Sequence, residues 1–318
     1  RWVVSCLQSI IQENPNHETA ILIRAGFQSR IFEEHLVRNR VAYTMVGNAK
    51  FYERREIKDL IHYLKLVYHY DNDFAFEAIV NTPRRGVGAV MLSRLRQSAH
   101  DHQTSLFQAL GILLEQGAMK KSAVLEIFHH NILRWHCQKQ QVSPALMLAM
   151  IVKESEYMKT WDNDADKSSR LENVKELERV LTSFETLEDF FDHASLINDQ
   201  NSADQASVSL MTLHAAKGLE FDTVILAGWE DGTFPHARSL DDESSQGLEE
   251  ERRLAYVGLT RAKKQAVITF VWSRCLPGKG WIPCQPSRFL KELPKDHIHC
   301  RMNYSRGSGS AQRYQRTY

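Results

Sequence analysis

Two short runs of apolar and β-branched residues, at 208–213 and 223–228, constrain the fold of this chain most strongly. Each run has the length of a strand and is bounded by polar residues or glycine, a pattern typical of strands buried in a parallel sheet. Between them, residues 214–220 include a histidine, a lysine, a glycine and a glutamate. Parallel α/β sheets bind ligands beyond the carboxyl ends of their strands. We therefore predict an α/β fold with a ligand site at this segment.

A charged helix is predicted after the second run. Glutamates at 249–251 load its first turn, where the positive end of the helix dipole stabilises carboxylates. Glu249 and Arg253 are four residues apart and are expected to pair. Gly258 lies inside the same helix, where glycine costs about 1 kcal/mol relative to alanine. We therefore expect another part of the protein to pack closely against its backbone.

The strand pattern recurs far upstream, and helices fill the interval. Segments 20–24 and 41–46 predict two more strands, with a helix at 29–38 between them. From 51 to 191 the spacing of apolar residues is mostly helical, and it is clearest at 52–70. The simplest architecture is one α/β domain that is split in sequence by a helical insertion.

The predicted boundaries follow the change of pattern. Residues 1–46 and 205–300 are assigned to the parallel-sheet domain, and residues 47–204 to an inserted, mostly α-helical domain. Residues 301–318 are low in apolar residues and rich in Gly, Ser and Arg, so we expect a disordered tail.

Composition narrows the class of protein. The net charge is only +1, so a nucleic-acid site would need a local arrangement of charge. The longest nearly pure apolar run, 145–152, is too short to span a bilayer, so no membrane partner is expected. Five scattered cysteines, an odd number, favour a reducing, cytoplasmic location. Five residues near the end of the chain could be considered zinc ligands, namely Cys275, Cys284, His297, His299 and Cys300. They lack CxxC spacing, so we expect no metal there.

Two motifs carry a family resemblance. TLHAAKGLEFDTVIL resembles motif V, and EEERRLAYVGLTRA resembles motif VI, of the superfamily 1 DNA helicases of the UvrD, PcrA and Rep group. The match continues in order through AILIRAGFQSRIFEEHL and VGNAKFYERREIKDL upstream and PSRFLKELP downstream. The resemblance implies a second RecA-like domain that carries the family's mobile helical insertion. It also implies the C-terminal part of an ATP-dependent 3′-to-5′ DNA helicase of repair or replication, acting on single-stranded DNA and a duplex junction.

The resemblance assigns candidate nucleotide contacts. Arg261 resembles the arginine finger of motif VI, which stabilises the charge that phosphoryl transfer spreads over the γ-phosphate oxygens. Arg261 also shares an apolar helix stripe with Leu254 and Val257, so the residues alone leave open an arginine paired with the helix glutamates. Glu220 resembles the motif V glutamate that contacts ribose, and Gly218 lets the backbone turn beside it. A capping or surface role for Glu220 is the alternative.

Further residues are candidates for single-stranded DNA. Thr212 and His214 resemble the motif V residues that face the strand, and Arg30 is expected to meet it as well. A hydroxyl and an imidazole can bond phosphate oxygens without reading sequence. For His214 the alternative is an ordinary structural histidine.

The turn at 82–88 is a candidate for duplex DNA. It resembles the family's GIG turn, with Val87 in place of isoleucine. Gly86 and Gly88 leave backbone N–H groups free before a helix, where they can hold a phosphate, and Arg85 adds a positive charge. From the residues alone, a plain turn between helices is also open.

A β-hairpin is predicted from segments 266–272 and 281–284, with a turn-rich stretch between them. In the family a hairpin here wedges the duplex junction with an aromatic residue near its tip. This chain has Pro277 at that place, so Trp281 and Trp272 are the nearest aromatic candidates. The alternative is that both tryptophans fill the core of the sheet.

The chain lacks a GxxxxGK[ST] phosphate loop and a Walker B-like acidic motif. The resemblance places both upstream, so we expect ATP with its Mg²⁺ ligands in an N-terminal RecA-like half, the expected partner of this chain. The chain starts at Arg1, so we take it as a fragment. Because nothing in it replaces the phosphate loop and the Mg²⁺ ligands, we expect the fragment to be inactive alone. Two alternatives stay open, the helicase part of a nuclease-coupled enzyme and a stand-alone, non-catalytic DNA-binding module.

Overall fold

The computed structural model describes residues 2–117, 123–162, 164–199, 206–240, 246–276 and 280–299. Its helices are α1 (Trp2–Glu13), α2 (Ser29–Arg38), α3 (Arg55–Tyr68), α4 (Asp73–Ile79), α5 (Ala89–His102), α6 (Leu106–Glu115), α7 (Ala123–Gln138), α8 (Pro144–Glu154), α9 (Lys167–Leu181), α10 (Leu187–Asp199), α11 (Ala237–Leu240) and α12 (Gln246–Leu259). Its strands are β1 (Thr19–Ile23), β2 (Tyr43–Val46), β3 (Val208–Thr212), β4 (Phe221–Ala227), β5 (Ala262–Thr269), β6 (Ser273–Leu276) and β7 (Gly280–Pro283).

Five strands from two distant parts of the chain form one parallel sheet in the order β2-β3-β1-β4-β5. The central strand β1 places Thr19 opposite both Val208 and Thr223. Because all five strands run the same way, their carboxyl ends lie at one edge of the sheet and their amino ends at the other. These are called the carboxyl edge and the amino edge below. The prediction of a parallel α/β sheet is confirmed.

Strand β1 is buried at every position because helices cover both faces of the sheet. Ile21 and Ile23 point to the side where α1 and α2 pack, within one hydrophobic cluster. Ala20 and Leu22 belong to a second cluster on the opposite face, together with Leu254 of α12. Two covered faces explain why the strand sequences are continuously apolar instead of alternating.

The described residues between β2 and β3 are helical. Ser105 and Ser143 cap α6 and α8 by accepting backbone hydrogen bonds at 3.3 Å each. Helix α3 buries four of the five residues of its predicted apolar face, and the fifth, Tyr68, is half-buried; the buried four are Ile57, Leu60, Ile61 and Leu64. Tyr63 and Leu66 on its other sides are buried too, so α3 is a central helix. None of the described helices combines the length and the apolar character that a membrane span requires.

Helix α12 begins at Gln246, earlier than predicted, so Glu249 is the acidic residue of its first turn. The ion pairs on this helix join Arg252 to Glu249 and Arg253 to Glu250. The predicted pair between Glu249 and Arg253 is therefore wrong, because spacing of three residues brings these side chains together just as well as spacing of four.

Gly258 of α12 confirms the predicted close packing. A Cβ atom at this position would lie 2.6 Å from Cδ2 of Leu213 and 2.8 Å from Cδ2 of Leu226. Helix α12 therefore sits directly on the sheet and on the segment that leaves β3.

The predicted hairpin is present, and its returning strand matches the prediction closely, but its first strand is built from other residues. Residues 266–269 belong to β5 and pair with β4, so the hairpin consists of the antiparallel strands β6 and β7. Trp281 of β7 lies opposite Cys275 of β6. Pro277 and the tail at 301–318 lie outside the described residues.

Candidate functional site

Arg261 lies at the amino edge, in the turn between α12 and β5. It is not part of the helix, which ends at Leu259. Its carbonyl oxygen accepts a hydrogen bond of 2.9 Å from the N–H of Phe221. Its guanidinium donates to the carbonyl oxygens of Val257 at 3.0 Å and Leu219 at 3.1 Å, and to the neighbouring Thr260 hydroxyl. These contacts hold the side chain beside the start of β4, and they replace the alternative of pairing with the helix glutamates.

Glu220 stands next to this arginine at the same edge. It is exposed and directly precedes β4. Gly218, two residues earlier, has a φ of +86°, a conformation that residues with a Cβ rarely adopt. The left-handed turn brings Leu219 under the guanidinium of Arg261 and leaves the carboxylate of Glu220 open to solvent. The amino edge thus holds Arg261 next to the residue that precedes Glu220, and Lys263 and Lys264 form ion pairs with Glu18 and Asp222 at the same edge.

Thr212 and His214 lie at the carboxyl edge. Thr212 ends β3, and its hydroxyl accepts a hydrogen bond of 3.3 Å from the N–H of Ala215. His214 is exposed, and partial burial together with the positive charges of Arg24 and Lys217 lowers the pKa of its imidazole. The ring is therefore neutral near pH 7 and can both donate and accept a hydrogen bond.

Residues 213–220 cross the sheet from one edge to the other. We call them the crossing segment. Strand β4 runs parallel to β3 in the same sheet and must start at the amino edge. The chain therefore has to return along the length of β4, about 20 Å at roughly 3.3 Å per residue. Leu213 and Ala216 are buried under α12 on the way. The expectation that the whole segment lies at the carboxyl ends is wrong, because only its first residues do.

Two residues that the sequence does not single out tie the carboxyl edge to α12. Arg24, directly after β1, donates from Nε to both carboxylate oxygens of Glu251 at 2.9 Å and from Nη2 to one of them at 2.6 Å. Glu251 is only 3% exposed and also accepts from the N–H of His236. Two features of the sequence could have indicated this contact: Arg24 follows a buried strand, and Glu251 lies three residues before Leu254, on the helix face that packs on the sheet.

Arg30 forms ion pairs with two carboxylates. Its guanidinium donates to Glu34 at 2.8 Å and to Glu176 of α9 at 2.7 Å. Burial opposes its charge, but the two carboxylates outweigh burial and raise its pKa. This geometry gives Arg30 a structural role, joining α2 to α9, and leaves its predicted contact with DNA without support.

Arg85 points into the helical core. Its guanidinium donates to the carbonyl oxygen of Ile79 at 2.9 Å and to the hydroxyl of Tyr63 at 2.6 Å, and it lies 4.4 Å from the ring centre of Phe128. Its neighbour Arg84 is exposed instead. The predicted phosphate contact of Arg85 is therefore corrected: Arg85 organises the turn, and Arg84 is the accessible cation.

The glycines of this turn are open. Gly86 has a φ of +78°, and Gly88 is the residue before the first turn of α5. A Cβ at either position would meet nothing within 4 Å. The backbone N–H groups at the start of α5 can therefore be approached from solvent.

The two candidate tryptophans do not fill the core. Trp281 is 72% exposed and Trp272 is 63% exposed. Trp272 makes an edge-to-face contact with Phe270 at 5.5 Å. The alternative of a core role is wrong for both. Among the described residues, no three His, Cys, Asp or Glu side chains are grouped as metal ligands.

Known proteins match this chain over most of its length. The profile of the UvrD-like helicase C-terminal domain matches residues 1–273. "Probable DNA helicase II homolog" of Rickettsia felis is 37% identical over 305 residues, which cover 93% of this chain and 46% of that protein. "ATP-dependent DNA helicase PcrA" of Bacillus subtilis is 40% identical, covering 88% of this chain and 40% of its own length. "DNA helicase II" of Escherichia coli is 38% identical, with 88% and 41% covered.

The chain thus spans less than half of the length of these relatives. The matched profile covers the whole sheet, α12 and the candidate residues at both edges. The chain belongs to the family of UvrD-like helicase C-terminal domains.

Proposed function

We propose that this chain is the C-terminal part of an ATP-dependent DNA helicase that moves 3′ to 5′ along single-stranded DNA and unwinds the duplex ahead. The observation that carries this proposal is the distribution of the motif residues over two opposite edges of one sheet. Arg261 and Glu220 stand at the amino edge, and Thr212 and His214 at the carboxyl edge. The names of the relatives support the helicase activity, and the direction of movement is taken from the family.

The chain divides into two domains in this proposal. Residues 1–46 and 205–300 form the second RecA-like domain, and residues 47–204 form the inserted helical domain. The parallel pairing of β2 with β3 supports this division, because the strands on either side of the insertion are neighbours in one sheet.

The amino edge supplies half of an ATP site. The exposed carboxylate of Glu220 suits ribose hydroxyls, and the cationic Arg261 beside it suits phosphate oxygens. Gly218 lets the backbone turn between them. ATP with Mg²⁺ supplies the free energy of movement when it is held by the N-terminal RecA-like half, which would carry the phosphate loop and the metal ligands. Arg261 is the catalytic residue of this side.

The carboxyl edge and the helical insertion supply the DNA contacts. Thr212 and His214 offer a hydroxyl and a neutral imidazole to the backbone of the single strand. The backbone N–H groups at the start of α5, with the exposed Arg84, suit a phosphate of the duplex. The N–H groups of Arg85 and Val87, on either side of Gly86, already donate to the side chain of Asn81. The exposed ring of Trp281 on the hairpin would stack on a base pair at the junction.

The crossing segment connects nucleotide state to DNA contact. Its last residues touch Arg261 through Leu219, and its first residues are Leu213 and His214. Because it is packed tightly under Gly258, a shift at the amino edge is passed to the carboxyl edge instead of being absorbed.

The test compares this chain alone with the same chain joined to its N-terminal half. We expect no ATP hydrolysis by the chain alone, and DNA-stimulated hydrolysis with unwinding of a 3′-tailed duplex by the joined protein. A 5′-tailed duplex is the control for direction. Hydrolysis by the chain alone, or a joined protein that binds DNA without hydrolysing ATP, contradicts the proposal. Degradation of labelled DNA would identify the nuclease-coupled alternative.

A further inference from the structure

The carboxylate of Glu230 accepts two hydrogen bonds from the chain where it enters the hairpin. One oxygen accepts a hydrogen bond of 2.8 Å from the N–H of Val271, and the other accepts one of 2.6 Å from Nη2 of Arg274. Trp272 lies between these two donors. Glu230 is only 2% exposed, so its carboxylate is shielded from solvent, whereas the side chain of Arg274 is 36% exposed.

Glu230 is itself held by the carboxyl edge of the sheet. The turn at 228–234 begins with the N–H groups of Gly228 and Trp229, which both donate to the carbonyl oxygen of Thr269 at 3.0 Å. The carbonyl oxygen of Glu230 accepts from Thr233 at 2.9 Å and from Phe234 at 2.8 Å. The position of the carboxylate is therefore set by the ends of β4 and β5.

The returning leg of the hairpin is fastened to the same turn. The N–H of Asp231 donates to the carbonyl oxygen of Gln285 at 3.0 Å, and the N–H of Ser287 donates to that of Trp229 at 2.8 Å. Arg288 adds an ion pair of 3.0 Å with Asp231. The returning leg is thus held mainly through the backbone, whereas the first leg is held by the buried carboxylate of Glu230 through Val271 and Arg274.

Burying the carboxylate of Glu230 is unfavourable for stability alone. Burial raises the pKa of Glu230, and the charge of Arg274 only partly opposes that effect. Buried ion pairs are often no more stabilising than apolar residues of the same volume, but they do fix one geometry. An orienting role accounts for a charged pair at the base of a short hairpin.

We propose that Glu230 and Arg274 are positioning residues that aim the β6–β7 hairpin, and with it Trp281, at the duplex junction. This inference rests on the proposed helicase function. Without the ion pair, β6 pivots about its base, and Trp281 loses its place relative to the sheet. The candidate nucleotide contacts Arg261 and Glu220 lie at the opposite edge of the sheet and are not affected. The variants should therefore keep ATP hydrolysis while strand separation slows.

The experiment uses the full-length protein with Glu230→Gln, Arg274→Gln and the double variant. We expect unwinding to slow roughly 10- to 100-fold, the range for a functional side chain displaced by about 1 Å, here Trp281. Single-strand-stimulated ATP hydrolysis should be retained. The double variant should be no slower than the worse single variant, because the two residues act as one unit. Arg274→Lys, which keeps the charge, should restore part of the unwinding rate.

Arg96→Gln is the matched control, since it removes an exposed two-bond ion pair with Glu77 that lies in the helical region. Hydrogen exchange of the amides of β6 gives a second readout that does not depend on activity, and we expect faster exchange in Glu230→Gln. Unchanged unwinding, parallel loss of both activities, or unchanged exchange overturns the positioning role. If the wild-type protein never unwinds DNA, the proposed function is wrong instead. The exchange measurement then still shows whether Glu230 and Arg274 hold β6 in place.

Discussion

Nη1 of Arg261 donates a hydrogen bond of 3.1 Å to the carbonyl oxygen of Leu219, the residue before Glu220. Through this contact, a residue after α12 and a residue before β4 form one structural unit, although they belong to different motifs. The N–H of Phe221 closes the unit by donating to the carbonyl oxygen of Arg261. Any movement of α12 is therefore expected to carry Glu220 with it.

Replacing Arg261 with alanine in the full-length protein should lower kcat for ATP about 10³-fold or more, the range for a lost arginine finger. Affinity for single-stranded DNA without nucleotide should change little, because Arg261 is at the edge away from Thr212. Arg253→Ala, on the exposed side of α12, is the matched control. Steady-state hydrolysis and DNA titration check this, and hydrolysis near the wild-type rate would make Arg261 a structural residue.

Arg84→Ala should weaken duplex binding with a salt dependence that is shallower by about one ion, the effect of one lost phosphate contact. Arg85→Ala should instead lower the melting temperature, because the carbonyl oxygen of Ile79 and the hydroxyl of Tyr63 lose their buried donor, at about 1–3 kcal/mol. Binding over a salt series and thermal unfolding separate the two effects. The assignment is reversed if Arg85→Ala leaves stability intact and flattens the salt dependence.

Gly258→Ala should destabilise the protein by about 1–3 kcal/mol, because the added methyl group overlaps the side chains of Leu213 and Leu226. Gly88→Ala is the control, since its Cβ would meet nothing within 4 Å. We expect Gly88→Ala to keep its melting temperature and to bind duplex DNA more weakly. Equal melting temperatures for the two variants would show that the contact at Gly258 relaxes freely.

Trp281→Ala should slow unwinding while leaving single-strand-stimulated ATP hydrolysis largely intact, because base stacking on an aromatic ring is worth about 1–3 kcal/mol. The side chain is exposed, so the melting temperature should not change. Phe74→Ala, an exposed aromatic of α4, is the matched control. A loss of both rates together with the melting temperature would exclude a wedge.

The stability of the protein should fall in acid through Glu34. Burial alone would raise its pKa, but hydrogen bonds from His193 and Arg30 prevail and lower it to about 2. A depressed carboxyl pKa stabilises the fold above the unfolded value and loses this effect as pH falls from about 4.5 to 2, up to about 3 kcal/mol. Urea unfolding over this range should show a shallower pH dependence for Glu34→Gln. Glu126→Gln, an exposed carboxylate on α7, should match the wild type.

Regular elements were predictable from sequence because they depend on local spacing. The helix at 29–38 matches α2 at both ends, and the apolar runs at 208–213 and 223–228 match β3 and β4 within a few residues. Burial on both faces leaves a continuous apolar run, which needs no knowledge of distant contacts. The resemblance to motifs V and VI supplied the candidate site residues, but their separation onto two edges of the sheet required the strand order.

The roles of individual arginines were not predictable, because their partners are remote in sequence. Arg30 meets Glu176, and Arg85 meets Phe128, and nothing near either arginine in the sequence indicates this. Arg84 and Arg85 are adjacent and chemically identical, so only the direction of each side chain separates a surface cation from a structural one.

The sheet order has a consequence for biosynthesis. The central strand β1 pairs with β3 and β4, and Thr19 meets Val208 and Thr223 only after the whole helical region has been made. At about 5–20 residues per second, a ribosome needs roughly 10–40 s to cover that interval. During this time β1, apolar at nearly every position, has two open edges and is prone to pair with other chains. The nascent chain therefore depends on early folding of the helices, whose contacts are local, or on a chaperone that covers β1 until its neighbours arrive.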